Sequence, residues 1–146
     1  MIRLATSDDL PVLVELMRGY YRDDGLPFDE DAARATMRRL LSQPQWGRVW
    51  LAFEDRCAIG YVALCIGFSL ELGGNDAFID EVFVLPEFRG RGCGRQLLET
   101  AGLAARDLDV RAVHLEVDRH NEAAQRLYRS LGYGMRDRYI LMTLRR

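Results

Sequence analysis

The stretch Arg89-Gly90-Arg91-Gly92-Cys93-Gly94, written RGRGCG, follows directly on the apolar run Val82-Phe83-Val84-Leu85-Pro86. A strand feeding a glycine-rich turn that opens a helix leaves several N–H groups without partners at the positive end of the helix dipole. That is an anion site suited to phosphate. Glycine lets the backbone approach a ligand and take dihedrals closed to other residues, and Arg89, Arg91 and Arg95 add charge at the rim. Taken alone, the motif reads equally well as a turn of no chemical use. Two phosphate patterns are excluded. GxxxxGK[ST] is absent, and glycines at 90, 92 and 94 do not fit GxGxxG.

On either side the chain spells out an order of elements. Ile2 to Ala5 reads as a first strand, and Thr6 or Ser7 caps a helix with Leu10, Leu13, Val14 and Met17 on one stripe. That helix ends near Asp23-Asp24-Gly25, ahead of Pro27. Asp29 caps a second, with Glu30 and Asp31 in its positive first turn and a stripe of Ala33, Met37, Leu40 and Leu41. Arg48–Glu54 and Ala58–Phe68 read as strands joined by Asp55-Arg56. Gly73-Gly74-Asn75-Asp76 then turns the chain into a third strand of this meander, Ala77–Leu85. After RGRGCG, Leu97, Ala101, Ala104, Ala105 and Leu108 keep helical spacing. Arg111–Val117 alternates as a strand, Ala124, Leu127, Tyr128 and Leu131 mark a last helix closed by Gly132, and Tyr139–Leu144 is a final strand. The order β-α-α-β-β-β-α-β-α-β predicts one α/β (mixed α+β) domain over residues 1–146. Its central sheet is mixed and mostly antiparallel, with helices on both faces.

Composition narrows the chemistry. The 146 residues are 49% hydrophobic, enough for a core, and no run is long and apolar enough for a membrane span. The start, MIRLATSDDL, lacks the parts of a signal peptide, so a soluble cytoplasmic protein is expected. Net charge is −2 with acids and bases interspersed, which gives no basic field for nucleic acid. All 20 basic residues are arginine, so no lysine nucleophile or Schiff base is available. Cys57, Cys65 and Cys93 form no CxxC, and with only His114 and His120 no zinc ligand spacing assembles, so no metal is expected.

Two well-spaced motifs in this order resemble the GNAT superfamily of N-acetyltransferases. RGRGCG fits that family's pyrophosphate loop, VFVLPEF its strand-and-proline lead-in, and LEVDRHNEAAQRLYRSLGY its fifth strand, asparagine and helix ending in Leu-Gly-aromatic. The resemblance implies acetyl-CoA as co-substrate and a primary amine as acceptor. Backbone N–H groups across Gly90, Arg91, Gly92, Cys93, Gly94 and Arg95 would hold the pyrophosphate. Val82, Phe83 and Val84 would pair with the pantetheine arm through a splay between the fourth and fifth strands, and Asn121 would lie near that arm. Tyr128, seven residues after Asn121, has the spacing of the family's tyrosine acid, and a phenol of pKa about 10 is suited to protonating an alkyl thiolate. On the residues alone, packing on the stripe is the favoured reading of Tyr128, and Asn121 is a helix cap.

The base is left between Glu81 and Glu116, with water relay as the third route; either glutamate is otherwise an arginine-paired or edge charge. Tyr20, Tyr21, Phe68 and Glu71 are the expected acceptor wall, from segments rich in aromatics and carboxylates that suit a cationic amine. The acceptor is a small-molecule or peptide amine, and a homodimer is compatible with the chain. The alternative is a non-catalytic acyl-CoA-binding or sensing domain on the same fold.

Overall fold

In the computed structural model, which describes residues 1–146, the chain opens with β1 (Ile2–Leu4) and a short 3-10 turn into α1 (Leu10–Asp23). Asp9 ties this corner together. Its carboxylate receives both guanidinium nitrogens of Arg3 at 2.8 Å and the Thr6 N–H at 2.7 Å. The Arg3 hydrogen bonds, opposed by burial and helped by the Thr6 N–H, hold the Asp9 pKa down at about 2. After the break at Pro27, the Asp29 side chain accepts from the Ala32 N–H and starts α2 (Glu30–Ser42).

The antiparallel meander follows. Asp55 and Arg56 both take positive φ, 46° and 73°, the twist a two-residue hairpin requires, and they fold β2 (Gly47–Glu54) onto β3 (Cys57–Ser69). β4 (Gly74–Val84) returns antiparallel to β3, leads through a 3-10 turn at Pro86–Phe88 to α3 (Cys93–Asp107), and is joined in parallel by β5 (Val113–Leu115). The sheet order is β1-β2-β3-β4-β5, mixed and mostly antiparallel as expected. Leu13, Val14, Met17 and Met37 pack with Val49, Leu51, Tyr61, Ala63 and Phe83 on one face, and α3 lies on the other with Leu97, Leu98, Ala101 and Ala105 buried. No helix is long and apolar enough to cross a membrane.

These elements make up one compact unit, Met1–Glu116. The second unit, Val117–Arg146, contains α4 (Glu122–Ser130), capped by the Asn121 side chain accepting from the Ala124 N–H at 3.1 Å. Gly132 at φ 93° follows the helix end as expected.

Strand ends shift by one residue at several places, and three differences from the sequence reading are larger. β4 starts at Gly74 rather than Ala77, because Gly74, Asn75 and Asp76 pair with Ser69, Phe68 and Gly67 and leave the turn to residues 70–73. β5 is three residues, not seven. The strand expected at Tyr139–Leu144 does not form: those residues have no ladder partner, and Tyr139, Ile140, Leu141, Met142 and Leu144 are 60–84% exposed. Alternation and apolarity mark a segment able to be a strand, but only an open edge makes it one.

Candidate active site

The β3–β4 ladder slips at one place. Ala63 faces Glu81 and Leu64 faces Ile79, which leaves Asp80 as an extra, unpaired residue on β4. Such a bulge breaks the two-residue alternation of side chains. Ile79 therefore stays on the apolar α3 side, while Glu81, two positions later, comes to the α1 side beside Tyr61 and Phe83. Without the bulge Glu81 would share the face of Ile79, away from the Tyr61 hydroxyl.

On the α1 side Glu81 is received by tyrosines. The Tyr61 hydroxyl, fully buried, donates to Glu81 Oε2 at 2.6 Å, and the Tyr21 hydroxyl is close enough to the same carboxylate to favour its charged form. Burial raises the Glu81 pKa; the two tyrosine hydroxyls pull it back and the Asp80 charge adds to the rise, leaving it above the ordinary carboxylate value. Burial, with the Glu81 charge next, also raises both phenols, so they keep their protons. Nearby, Cys65 is pushed to about 11, chiefly by burial, and is no thiolate at neutral pH. Edge-on aromatic contacts continue the wall: Tyr20 to Tyr21 at 5.4 Å, Tyr20 to Phe83 at 6.3 Å and Tyr21 to Phe28 at 5.5 Å between centroids. Gly19 lets α1 come this close, since a Cβ there would sit 2.9 Å from the Phe83 ring.

The bulge also coincides with the end of pairing on the other side of β4. β5 stays with it only through Ala77↔Val113, Phe78↔His114 and Ile79↔Leu115, so from Glu81 to Val84 the strand is paired to β3 alone. Val82, Phe83 and Val84 thus present a strand edge of the kind an extended chain can join. Just beyond it, Gly90 (φ 74°) and Gly92 (φ 84°) take the left-handed conformation, and space around both is open to 4 Å. Gly92 is the residue before α3 and has no side chain with which to cap it, and the helix ladder begins only with the Gln96 N–H to the Gly92 carbonyl. The first N–H groups, from Cys93 onward, stand at an uncapped, positive helix end. A diphosphate fits this cradle and an extended amide-bearing arm fits the β4 edge, so the residues present suit coenzyme A.

Not every expected residue joins in. Arg89 turns inward: its Nε donates to the Val84 carbonyl at 2.8 Å, a terminal nitrogen pairs with Asp23, and the guanidinium lies over the Phe83 ring. It braces the loop against β4 and α1 instead of standing at the rim. Arg91 is more open and Arg95 is not; they lie 3.7 Å from Glu54 and Glu99 respectively. Glu116 is exposed, just past the end of β5. Phe68, 69% exposed, and Glu71, in the turn after β3, do not join the wall; strand alternation from Tyr61 puts Phe68 on the opposite face. Tyr61 and Phe28 were missed. The signal for Tyr61 was its place in a buried apolar strand, where a hydroxyl needs a partner. In the second unit, Tyr128 is half-buried against Tyr133, centroids 6.0 Å apart, and burial raises its pKa.

The sequence model of the acetyltransferase (GNAT) family matches residues 11–133. An uncharacterized N-acetyltransferase of Archaeoglobus fulgidus is 36% identical over 136 residues, covering 88% of this chain and 89% of that protein. Among solved structures, the integron cassette protein HFX_CASS3, from the mobile metagenome of Cole Harbour salt marsh, superposes with a TM-score of 0.89 at 36% identity. That match covers 98% of this chain and 89% of the other. AAC(6')-Iy, solved in complex with the bisubstrate analog CoA-S-monomethyl-acetylneamine, shares the fold at TM-score 0.85 and 22% identity, covering 99% and 97% of the two chains.

Proposed function

Belonging to the acetyltransferase (GNAT) family, this chain is an acetyl-CoA-dependent N-acetyltransferase, and we propose that it acetylates a primary amine with Glu81 as base and Tyr128 as acid. Acetyl-CoA supplies an activated acyl carbon as a thioester. The N–H groups of the glycine turn and the first turn of α3, across Gly90 to Arg95, hold its diphosphate. The unpaired side of β4 at Val82–Val84 takes its arm as an added strand, with a strand N–H turned to the thioester oxygen where negative charge grows.

The observation that carries the reading is Glu81, a half-buried carboxylate held by Tyr61 and neighboured by Tyr21 where β4 loses its β5 partner. Glu81 takes the proton that a cationic alkylamine must lose before its nitrogen attacks. As the N–C bond forms and the C–S bond breaks, the Tyr128 phenol gives its proton to the departing sulfur. The products are an amide and the free thiol, and both side chains return to their starting state by exchange with solvent. Support for Tyr128 is its spacing from Asn121 and a pKa raised by burial, which keeps the proton in place before transfer. The rings of Tyr20 and Tyr21 beside Glu81 favour a cationic acceptor. Glu116, solvent-exposed, is the weaker base, and we propose that both units serve one acetyltransferase domain.

An amine panel assayed for release of free CoA tests this. At least one primary amine is expected to give turnover that Glu81→Gln lowers about 10²–10⁴-fold. Full activity in that variant would remove Glu81 from the mechanism.

A further inference from the structure

Asp23 stands where local rules disfavour it. It is the last residue of α1, at the negative end of the helix dipole, where a cation is the stabilising choice. Its partner lies 66 positions further on: a terminal nitrogen of Arg89 pairs with the Asp23 carboxylate. Both side chains are partly open to solvent, 48% for Arg89 and 39% for Asp23, and an exposed pair of this kind adds little to stability. What it adds is direction, because Arg89 is already fixed on two other sides. Its Nε donates to the Val84 carbonyl at 2.8 Å, and its guanidinium carbon lies 5.4 Å from the centre of the Phe83 ring.

The Val84 contact falls on the open edge of β4. The Leu85 N–H bonds to the Ile59 carbonyl, so by alternation Phe83 and Leu85 turn their backbone groups to β3, while Val82 and Val84 turn theirs away from it. One side chain therefore begins the glycine turn, touches the free edge of β4 and grips the end of α1. That helix carries Tyr20 and Tyr21, with Tyr20 6.3 Å from the same Phe83 ring. It closes with hydrogen bonds from the N–H groups of Asp24, Gly25 and Leu26 to the carbonyls of Tyr20, Arg22 and Tyr21. The turn itself, with Gly90 and Gly92 at positive φ and open space around both, has no packed side chain at either glycine to hold it.

We propose that Arg89 and Asp23 form a strut between the two halves of the site: a diphosphate that orders the glycine turn orders, through them, the last turn of α1, and so prepares Tyr20 and Tyr21 for the amine. This rests on the acetyl-CoA and amine reading given above. What passes along the strut is order rather than a new shape. Freedom lost in the turn on coenzyme binding is lost at the end of α1 as well, and the amine then meets a wall already fixed. Arg89 and Asp23 are positioning residues, acting through the turn and the helix end.

Hydrogen exchange and calorimetry on the full chain, with and without saturating coenzyme A, test this for wild type and Asp23→Asn. In wild type, coenzyme A should slow exchange over residues 90–96 and also at Asp24, Gly25 and Leu26, the latter about fivefold or more. Asp23→Asn makes the helix end less negative, so the helix should persist by circular dichroism. The variant should keep the protection over 90–96 and lose that at 24–26. With an amine selected by the panel, its loss in kcat/KM should fall mainly on the amine KM, raised about fivefold or more. Protection at 90–96 without any at 24–26 in wild type would overturn the strut alone. So would protection at 24–26 that survives Asp23→Asn, or an amine KM equal to that of wild type. Coenzyme A that protects neither segment would remove the glycine turn from coenzyme binding, and the strut with it. If Asp23→Asn fails to fold, Asp23→Ser cuts the same pair with the same expectations, and the wild-type exchange pattern decides by itself.

Discussion

Glu81 owes its setting to three neighbours, each with its own consequence. Burial sets its pKa above the usual carboxylate value, the Tyr61 and Tyr21 hydroxyls moderate that rise, and Asp80 adds to it. A base must be ionised to accept a proton, so activity should fall on the acid side as pH drops through the raised pKa. Tyr61→Phe deletes a hydrogen bond that favours the charged form. In that variant the acid limb of kcat/KM should move to higher pH, read from a full pH–rate profile. An unmoved limb would mean that Tyr61 is only packing. Tyr128→Phe should slow the chemical step about 10²–10⁴-fold with little change in CoA affinity, as single-turnover rates and calorimetry would show. Much of this was legible in the residues, since Glu81, Tyr20 and Tyr21 all fall on segments whose elements could be read. The role of Tyr61 was not, because a tyrosine in an apolar strand looks like core until the strand opposite is registered. Arg89 misled for the same reason: an arginine beside glycines reads as a rim charge, and only the fold brings Val84 and Asp23 to it.

At the scale of elements, the bulge at Asp80 and the left-handed start of α3 determine what the site can hold. Replacing Gly92 with valine forces a branched side chain into φ 84°, a strain of about 1–3 kcal/mol. It also crowds the helix N–H groups. Calorimetry should show acetyl-CoA affinity lowered at least tenfold while circular dichroism keeps the helix signal; unchanged affinity would release this loop from any part in binding. The corner held by Arg3 and Asp9 makes a separate prediction in pH. Asp9 titrates at about 2 when folded against an ordinary 3.8, so its contribution is fully present above about 4 and lost as pH falls toward 2. Asp9→Asn should lower Tm at neutral pH and flatten the acid end of the stability curve. Helix caps and hairpin turns here could be read from local residue types, because Asp29, Asn121 and Asp55-Arg56 act on their own neighbours. The bulge could not, since it exists only as a mismatch between two strands.

Across the whole molecule, the sequence pattern marks out five strands and four helices that form, and a sixth strand that does not. Tyr139–Leu144 has the alternation and apolarity of a strand, yet pairing is a property of two edges, and the second edge is not local to it. The near-neutral, interspersed charge carries no basic stripe, which agrees with a small amine-directed site framed by tyrosines and one carboxylate. The account rests on that carboxylate lying where β4 is freed from β5. The most direct measurement is the pH dependence of single-turnover acetyl transfer to an accepted amine, for wild type and Glu81→Gln. The wild type should show an acid limb with a midpoint above the ordinary carboxylate value of 4.5, and the variant should lose that limb together with about a hundredfold or more in rate. The same limb and the same rate in Glu81→Gln would contradict it.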